Sequence, residues 1–173
     1  MKRGARALVY ISVLTAQAMV LSWVEGLIPM PLPVPGARLG LANIVTLVAA
    51  YTLPWPSVLL VVAARTVLGS FLFSGLSTLL YSLSAGLVSA VVMLLSRRLL
   101  KGGMRSVLAV SLIGAIVHNL TQLTVAALVL ENIRVFWAYL PWLILLAVPA
   151  GLFVGGAGRL LLRYVDRLQL NLK

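Results

Sequence analysis

The sequence predicts an all-α integral membrane protein, a single domain over residues 1–173 built as a bundle of six transmembrane helices with cytoplasmic termini. Three observations lead to this prediction. The chain is 62% hydrophobic and only 10% charged, whereas a soluble domain is about one quarter charged. Its apolar residues form runs close to the roughly 20 residues that cross a bilayer as a helix. Its basic residues lie mainly at the ends of those runs.

Proline, glycine and charged residues divide the chain into six predicted spans. The first follows the basic segment "MKRGAR", and its apolar length favours a retained helix over a signal peptide cleaved near "AQA" at 16–18. The second is short and ends at Pro54-Trp55-Pro56, so we expect it to sit partly within the bundle. The predicted spans are 7–28, 39–53, 56–73, 76–96, 106–130 and 138–160.

The basic residues also predict which side of the membrane each span end faces. Cytoplasmic loops of membrane proteins carry an excess of Lys and Arg. With the N-terminus inside, eleven of the fourteen basic residues fall on the inner side. We therefore predict a multi-pass protein of the bacterial cytoplasmic (inner) membrane with an N-in, C-in arrangement. The eleven residues are Lys2, Arg3, Arg6, Arg97, Arg98, Lys101, Arg105, Arg159, Arg163, Arg167 and Lys173.

The composition excludes several kinds of chemistry. A net charge of +11 could suggest nucleic acid, but its placement at span ends indicates the lipid bilayer instead. With no cysteine and one histidine, the chain offers no thiolate or histidine-cluster metal site, and no cofactor is expected. The three acidic residues, Glu25, Glu131 and Asp166, form neither a carboxylate pair nor an aspartate-rich run. We expect a protein that is not catalytic on its own.

Arg65 is the residue that most needs an explanation, because it lies midway along the third predicted span. A charge at that depth costs at least about 2.5–3.5 kcal/mol on insertion scales unless it is paired or faces water. In one interpretation it pairs with Glu25 and locks helices together. In the other, Arg65, Arg38 and Arg134 surround a small anionic ligand that arrives from outside. The second interpretation is favoured by the excess of arginine over glutamate in the predicted outer half.

A second polar group lies in "GAIVHNLTQLTVAAL", within the fifth predicted span. His118 and Gln122 are four residues apart and therefore share one helix face. A polar face within a span usually turns toward the bundle interior or a cavity. Taken alone, His118 is better explained as a packed hydrogen-bonding residue than as a ligand-binding group. The predicted ligand-binding residues are Arg38, Asn43, Arg65, His118, Gln122 and Arg134.

Small residues repeat at every fourth position in several spans, a pattern that lets helix backbones approach closely. Ser12 and Ala16 form one such pair in the first span, and Ala147, Gly151 and Gly155 form a longer series in the sixth. Such series serve packing within the bundle or against another subunit, and we expect at least two of them to be internal packing.

Two segments carry a resemblance to a known family. "ISVLTAQAMVL" lies in the first span, and "PGARLGLANIVTLVAAY" opens the second, with moderate support from "LYSLSAGLVSAVVMLLSRR". With six short helices, the chain resembles the substrate-binding S components of energy-coupling-factor (ECF) vitamin transporters. More narrowly, it resembles the Gx transporter family, also described as heptaprenyl diphosphate synthase component I.

The resemblance implies roles for two further groups of residues. In S components the loop between the first two helices is a lid over an outward-facing pocket, which here implies a lid at Pro31, Pro33, Pro35 and Gly36. Arg38 and Asn43 would then face the ligand. The helix-one strip that docks on the transmembrane T subunit corresponds to Ser12 and Ala16. The implied partners are a T subunit and ATPase subunits.

Two functional hypotheses follow from this resemblance. The first is an S component that captures a small, anionic ligand from the outer face and depends on separate T and ATPase subunits for energy. The second is a non-catalytic membrane component of a heptaprenyl or polyprenyl diphosphate synthase in isoprenoid quinone metabolism. Such a synthase needs aspartate-rich motifs that hold Mg²⁺, and this sequence has none. We expect the first, because the predicted outer half holds the spare arginines.

Overall fold

The computed structural model describes residues 3–27, 40–75, 78–101 and 103–167, and all regular structure in these ranges is helical. Five of the helices are long and apolar enough to cross a membrane. A π-helical segment, Ser70–Ser74, continues the third helix. The helices are α1 (Arg3–Gly26), α2 (Ala42–Thr52), α3 (Trp55–Gly69), α4 (Leu79–Leu99), α5 (Val107–Val129) and α6 (Ile133–Arg167).

The α2 helix differs from the other five because it is short and completely enclosed. Its 11 residues are all buried, and it packs against α1, α3, α4 and α6. At 1.5 Å per residue it is about 16 Å long, roughly half of the 30 Å hydrocarbon core. The predicted bundle is therefore supported for five membrane-crossing helices, while α2 lies within the bundle.

Prolines mark the junction between α2 and α3. Leu53 ends α2 in an extended conformation, and Pro54 precedes the first residue of α3. Pro56 occupies the first turn of α3, where its missing N–H removes no helical hydrogen bond. The chain therefore reverses direction between the two helices with only two intervening residues.

The α6 helix is longer than the predicted span 138–160. It has 35 residues and continues through two internal prolines, Pro141 and Pro149. Proline is tolerated in membrane helices because neighbouring groups compensate for the lost backbone hydrogen bond. The prediction was too short because hydropathy marks only the apolar part of a helix, whereas the end of α6 carries Arg163 and Arg167.

Small residues bring α5 and α6 into close contact. A Cβ atom built on Gly151 would lie 2.9 Å from the Cα atom of Leu112, and one on Gly155 would lie 3.1 Å from the Cα atom of Leu108. Ser111 Oγ donates a 2.8 Å hydrogen bond to the Gly151 carbonyl. The small-residue series of the sixth predicted span is therefore an internal packing surface.

One end of the bundle, which we call the basic end, is defined by Arg97, Arg98 and Lys101 at the close of α4. The Tyr51 hydroxyl, at the end of α2, lies 2.9 Å from Ser106 Oγ at the start of α5. Tyr10 on α1 donates to Thr52 Oγ1 at 3.3 Å. The starts of α1 and α5 and the ends of α2 and α4 thus meet there, as expected for helices that alternate in direction.

A candidate ligand-binding cavity

A polar cavity of about 80 Å³ lies between α1, α2, α3, α4 and α5, toward the end opposite the basic end. It is too small for a drug-sized ligand, since such sites typically measure about 300–1,000 Å³. It matches two or three water molecules at about 30 Å³ each, or one small anion. Its lining residues are Ser22, Glu25, Gly40, Ala42, Asn43, Arg65, Thr66, Gly69, Ser70, Phe73, Ser82, His118 and Gln122.

Glu25 forms one wall of this cavity and holds the start of α2. Its two carboxylate oxygens accept hydrogen bonds from the backbone N–H groups of Gly40 (2.6 Å) and Leu41 (3.1 Å). The first N–H groups of a helix have no partner within the helix, and a negative charge there is favourable to the helix dipole. The buried carboxylate therefore replaces the side-chain cap that Leu41 cannot supply.

Gly40 is required by this arrangement. Its φ angle is +79°, in the region that non-glycine residues rarely adopt. A Cβ atom at this position would also lie 2.9 Å from the Asn43 Nδ2 atom. Glycine therefore allows the chain to turn into α2 while its N–H faces Glu25.

Asn43 and Arg65 meet across the cavity. Arg65 Nη2 donates a hydrogen bond of 3.0 Å to Asn43 Oδ1. Asn43 is buried in the first turn of α2, so Glu25 holds the backbone of this turn and Arg65 holds one of its side chains. Two positions that were predicted from separate spans thus form one polar cluster.

His118 and Gln122 line the same cavity from α5, on the shared helix face that their spacing predicted. The His118 ring lies against the backbone of Ala85 on α4. Its Nδ1 atom is buried and has no hydrogen-bond partner among the described residues. A buried polar atom of this kind is usually satisfied by an ordered water or a ligand.

The other predicted ligand-binding residues are not part of this cavity as described. Arg134 lies in the exposed first turn of α6, where its backbone N–H donates to Asn132 Oδ1, and it does not line the cavity. Arg38 lies outside the described residues, as does the predicted lid of Pro31, Pro33, Pro35 and Gly36.

The predicted docking pair, Ser12 and Ala16, is exposed on α1. Leu8, Val9, Val13 and Val20 are exposed on the same helix. This face is available for lipid or another subunit, and its assignment to a T subunit stays a prediction.

Several lining residues were missed by the sequence reasoning. Ser22 lies three residues before Glu25, and Ser70 lies four residues after Thr66, so each pair shares a helix face. This spacing was the available signal. It was not distinctive, because hydroxyl side chains are frequent in membrane helices, where they bond to their own backbone, as Thr66 does to Val62 at 2.7 Å.

Comparison with known families identifies the chain more narrowly. The family model described as heptaprenyl diphosphate synthase component I matches residues 14–161. The chain belongs to this family. The match begins within α1 and ends within α6, so it covers α2 to α5 completely and α1 and α6 in part. No curated protein and no solved structure matches the chain.

Membership of the component I family bears on whether the chain is catalytic. Component I is a non-catalytic accessory subunit of the synthase. In the described part of the chain no group of three or more His, Cys, Asp or Glu residues could hold a metal ion.

Proposed function

We propose that this component I protein is the non-catalytic membrane subunit of a heptaprenyl or polyprenyl diphosphate synthase. The observation that carries the proposal is the family match over 14–161, which covers α2 to α5 completely and part of α1 and α6. The chain supplies no aspartate-rich motif, so a separate catalytic subunit performs the condensation.

The physical properties of the product give such a subunit a purpose. A long prenyl chain partitions into the bilayer, since each buried CH₂ group contributes about 0.8 kcal/mol, whereas its diphosphate stays in water. An enzyme that makes this amphiphile therefore benefits from a partner at the membrane surface. If the basic end faces the cytoplasm as predicted, its cationic side chains would lie where the diphosphate emerges.

The test is to purify the tagged full-length protein gently from its own host's membranes. Native mass spectrometry would identify its partners, and radiolabelled isopentenyl diphosphate with Mg²⁺ would measure heptaprenyl diphosphate synthesis in the same sample. We expect an aspartate-rich prenyltransferase at fixed stoichiometry and synthesis that depends on this chain. A T subunit with ATPases, and no synthesis, would overturn the proposal.

A second candidate function is capture of a small anion as the S component of an ECF-type transporter. The convergence of Asn43, Arg65 and His118 on one cavity, with His118 Nδ1 lacking a partner among the described residues, favours it. Glu25 lines the same cavity, but both of its oxygens accept hydrogen bonds from the backbone before α2. This cavity faces the predicted outer side, away from the basic end. Its volume restricts the ligand to a very small anion or to part of a larger molecule.

Ligand retention in native mass spectra tests this second function. Arg65→Gln removes the positive charge of Arg65 from the cavity. This variant should no longer retain any small molecule that co-purifies with the unchanged protein. Arg134→Gln removes an exposed arginine outside the cavity and serves as the matched control. Equal retention by the two variants, or loss of folded protein in Arg65→Gln alone, would favour a purely structural role for Arg65.

A further inference from the structure

A second concave site lies at the basic end, and neither the family match nor the polar cavity accounts for it. It is an open groove of about 480 Å³ between the α2–α3 connection and the end of α4. This volume falls within the range of ligand sites. We call it the basic groove and define it by Leu53, Trp55, Leu94, Arg97, Arg98 and Lys101.

The basic groove combines an apolar wall with a cationic one. Leu53, Trp55 and Leu94 supply the apolar wall, and Trp55 is 58% exposed at the start of α3. Tryptophan at a helix end is typical of the membrane–water interface. None of the groove-lining residues is acidic. The groove therefore suits an amphiphile whose headgroup is anionic.

Arg97 is held in place before any ligand binds. Its Nη1 donates to the backbone carbonyl of Ala50, and its Cζ lies 4.6 Å from the centre of the Tyr51 ring. Tyr51 is in turn fixed by the hydrogen bond to Ser106. A guanidinium has five N–H donors, so these contacts leave others for a phosphate oxygen. Prior ordering reduces the entropy lost on binding.

Lys101 occupies a backbone position that lysine disfavours. Its φ angle is +56°, at the point where α4 ends and glycine is usually found. The following two residues in the sequence are both glycine, yet the left-handed position holds lysine. Strained backbone is concentrated at functional sites. Glu131 adopts the same conformation (φ +49°) where α5 ends, so the angle at Lys101 supports the basic groove only together with its lining residues.

We propose that the basic groove binds the diphosphate headgroup of a prenyl lipid, with Arg97, Arg98 and Lys101 around the phosphates and the chain along Leu94 and Trp55. The identity of the chain rests on the proposed function. Charge favours a diphosphate over a common phospholipid. A diphosphate monoester carries about three negative charges near neutral pH, because its terminal phosphate titrates near pH 6. Three cations match this charge, whereas a phospholipid such as phosphatidylglycerol carries one.

The test measures binding of radiolabelled geranylgeranyl diphosphate to the full-length protein in nanodiscs of phosphatidylcholine. We expect saturable binding that weakens about tenfold in Arg98→Gln and in Lys101→Gln, because charge-assisted contacts to phosphate are among the stronger hydrogen bonds. Arg163→Gln removes an exposed cation of α6 outside the groove and should bind within about twofold of the unchanged protein. Equal loss in Arg163→Gln would overturn the proposal.

Competition experiments identify the source of the headgroup. Inorganic diphosphate should compete, and geranylgeraniol, which has the same chain without charge, should not. Complete displacement by phosphatidylglycerol in the nanodisc would mean an ordinary anionic-lipid site and would overturn the proposal. Equal affinity for geranylgeraniol would also overturn it.

Lys101→Gly separates ligand binding from a structural role. This change relieves the backbone strain, so the melting temperature should not fall, while geranylgeranyl diphosphate binding should weaken about tenfold. Unchanged affinity would overturn the proposal.

No synthase is present in these assays. If the protein binds geranylgeranyl diphosphate but no synthase co-purifies with it, only the proposed function is contradicted. If a synthase co-purifies but the protein does not bind geranylgeranyl diphosphate, only the proposal for the basic groove is contradicted.

Discussion

At the scale of single residues, Glu25 shows how a buried carboxylate can stabilise the start of a helix elsewhere in the chain. Its side chain is 5% exposed, and both of its oxygens accept backbone N–H groups that precede α2. Burying a charge is costly unless hydrogen bonds replace those to water. Here the start of α2 supplies them, so the carboxylate and the helix stabilise each other.

Glu25→Gln should therefore destabilise the fold. Glutamine has one acceptor oxygen, and its NH₂ group would face a backbone N–H that needs an acceptor. We expect a loss of about 1–3 kcal/mol in the free energy of unfolding, measured by denaturant titration in detergent micelles. The control is Glu131→Gln, because Glu131 is exposed and its substitution should change stability by less than about 0.5 kcal/mol. Equal effects of the two changes would contradict this role.

Much of the polar cavity could be predicted residue by residue, for a physical reason. Asn43, Arg65 and Gln122 are costly within an apolar span, so each of them had to face a polar interior. The position of Arg134 could not be predicted in this way, since a residue near a helix end satisfies the same charge pattern whether it faces water or a cavity. The basic groove was missed because Arg97, Arg98 and Lys101 were interpreted only as markers of membrane side.

At the scale of elements, the contact between α5 and α6 depends on backbone proximity. Gly151 faces Leu112 with no room for a side chain, whereas a Cβ atom on Gly156 would meet nothing within 4 Å. Both residues lie within α6 and differ in position by five residues. Alanine substitutions at the two positions therefore distinguish the effect of helix propensity from the effect of packing between helices.

Gly151→Ala should destabilise the bundle, and Gly156→Ala should not. Alanine is more favourable than glycine inside a helix by up to about 1 kcal/mol, and this difference stabilises both variants. In Gly151→Ala the new methyl group is only 2.9 Å from the Leu112 Cα atom, and such overpacking typically costs about 1–3 kcal/mol. Thermal unfolding of the two variants in the same detergent measures the difference. A lower melting temperature for Gly156→Ala than for Gly151→Ala would contradict it.

At this scale the sequence predicted where helices exist more accurately than where they end. The "PWP" segment at 54–56 predicted the α2–α3 junction, because proline restricts the backbone on both sides. The end of α6 was missed, since a helix continues past the membrane as long as its backbone hydrogen bonds form. Hydropathy contains no information about that continuation.

At the scale of the whole molecule, the charge distribution predicts one orientation in the bilayer. The basic end should face the cytoplasm, and the α5–α6 connection near Glu131 should face outward. The chain contains no cysteine, so a single introduced thiol reports its own position.

Gly103→Cys and Glu131→Cys test this orientation. Both residues are exposed, one in the α4–α5 connection and the other between α5 and α6. A membrane-impermeant maleimide added to intact cells should label the second variant and should label the first only after the membrane is opened. The reverse pattern would assign the basic end to the outer side and would separate the basic groove from any cytoplasmic synthase.

The enclosure of α2 has a consequence for how the protein enters the membrane during synthesis. A helix of about 16 Å cannot bridge a hydrocarbon core of about 30 Å, so α2 has no stable position in lipid by itself. Its surroundings are supplied by α1, α3, α4 and α6, and its first turn is held by Glu25 near the end of α1. We therefore expect α2 to reach its final position only after α6, the last of these neighbouring helices, has been inserted.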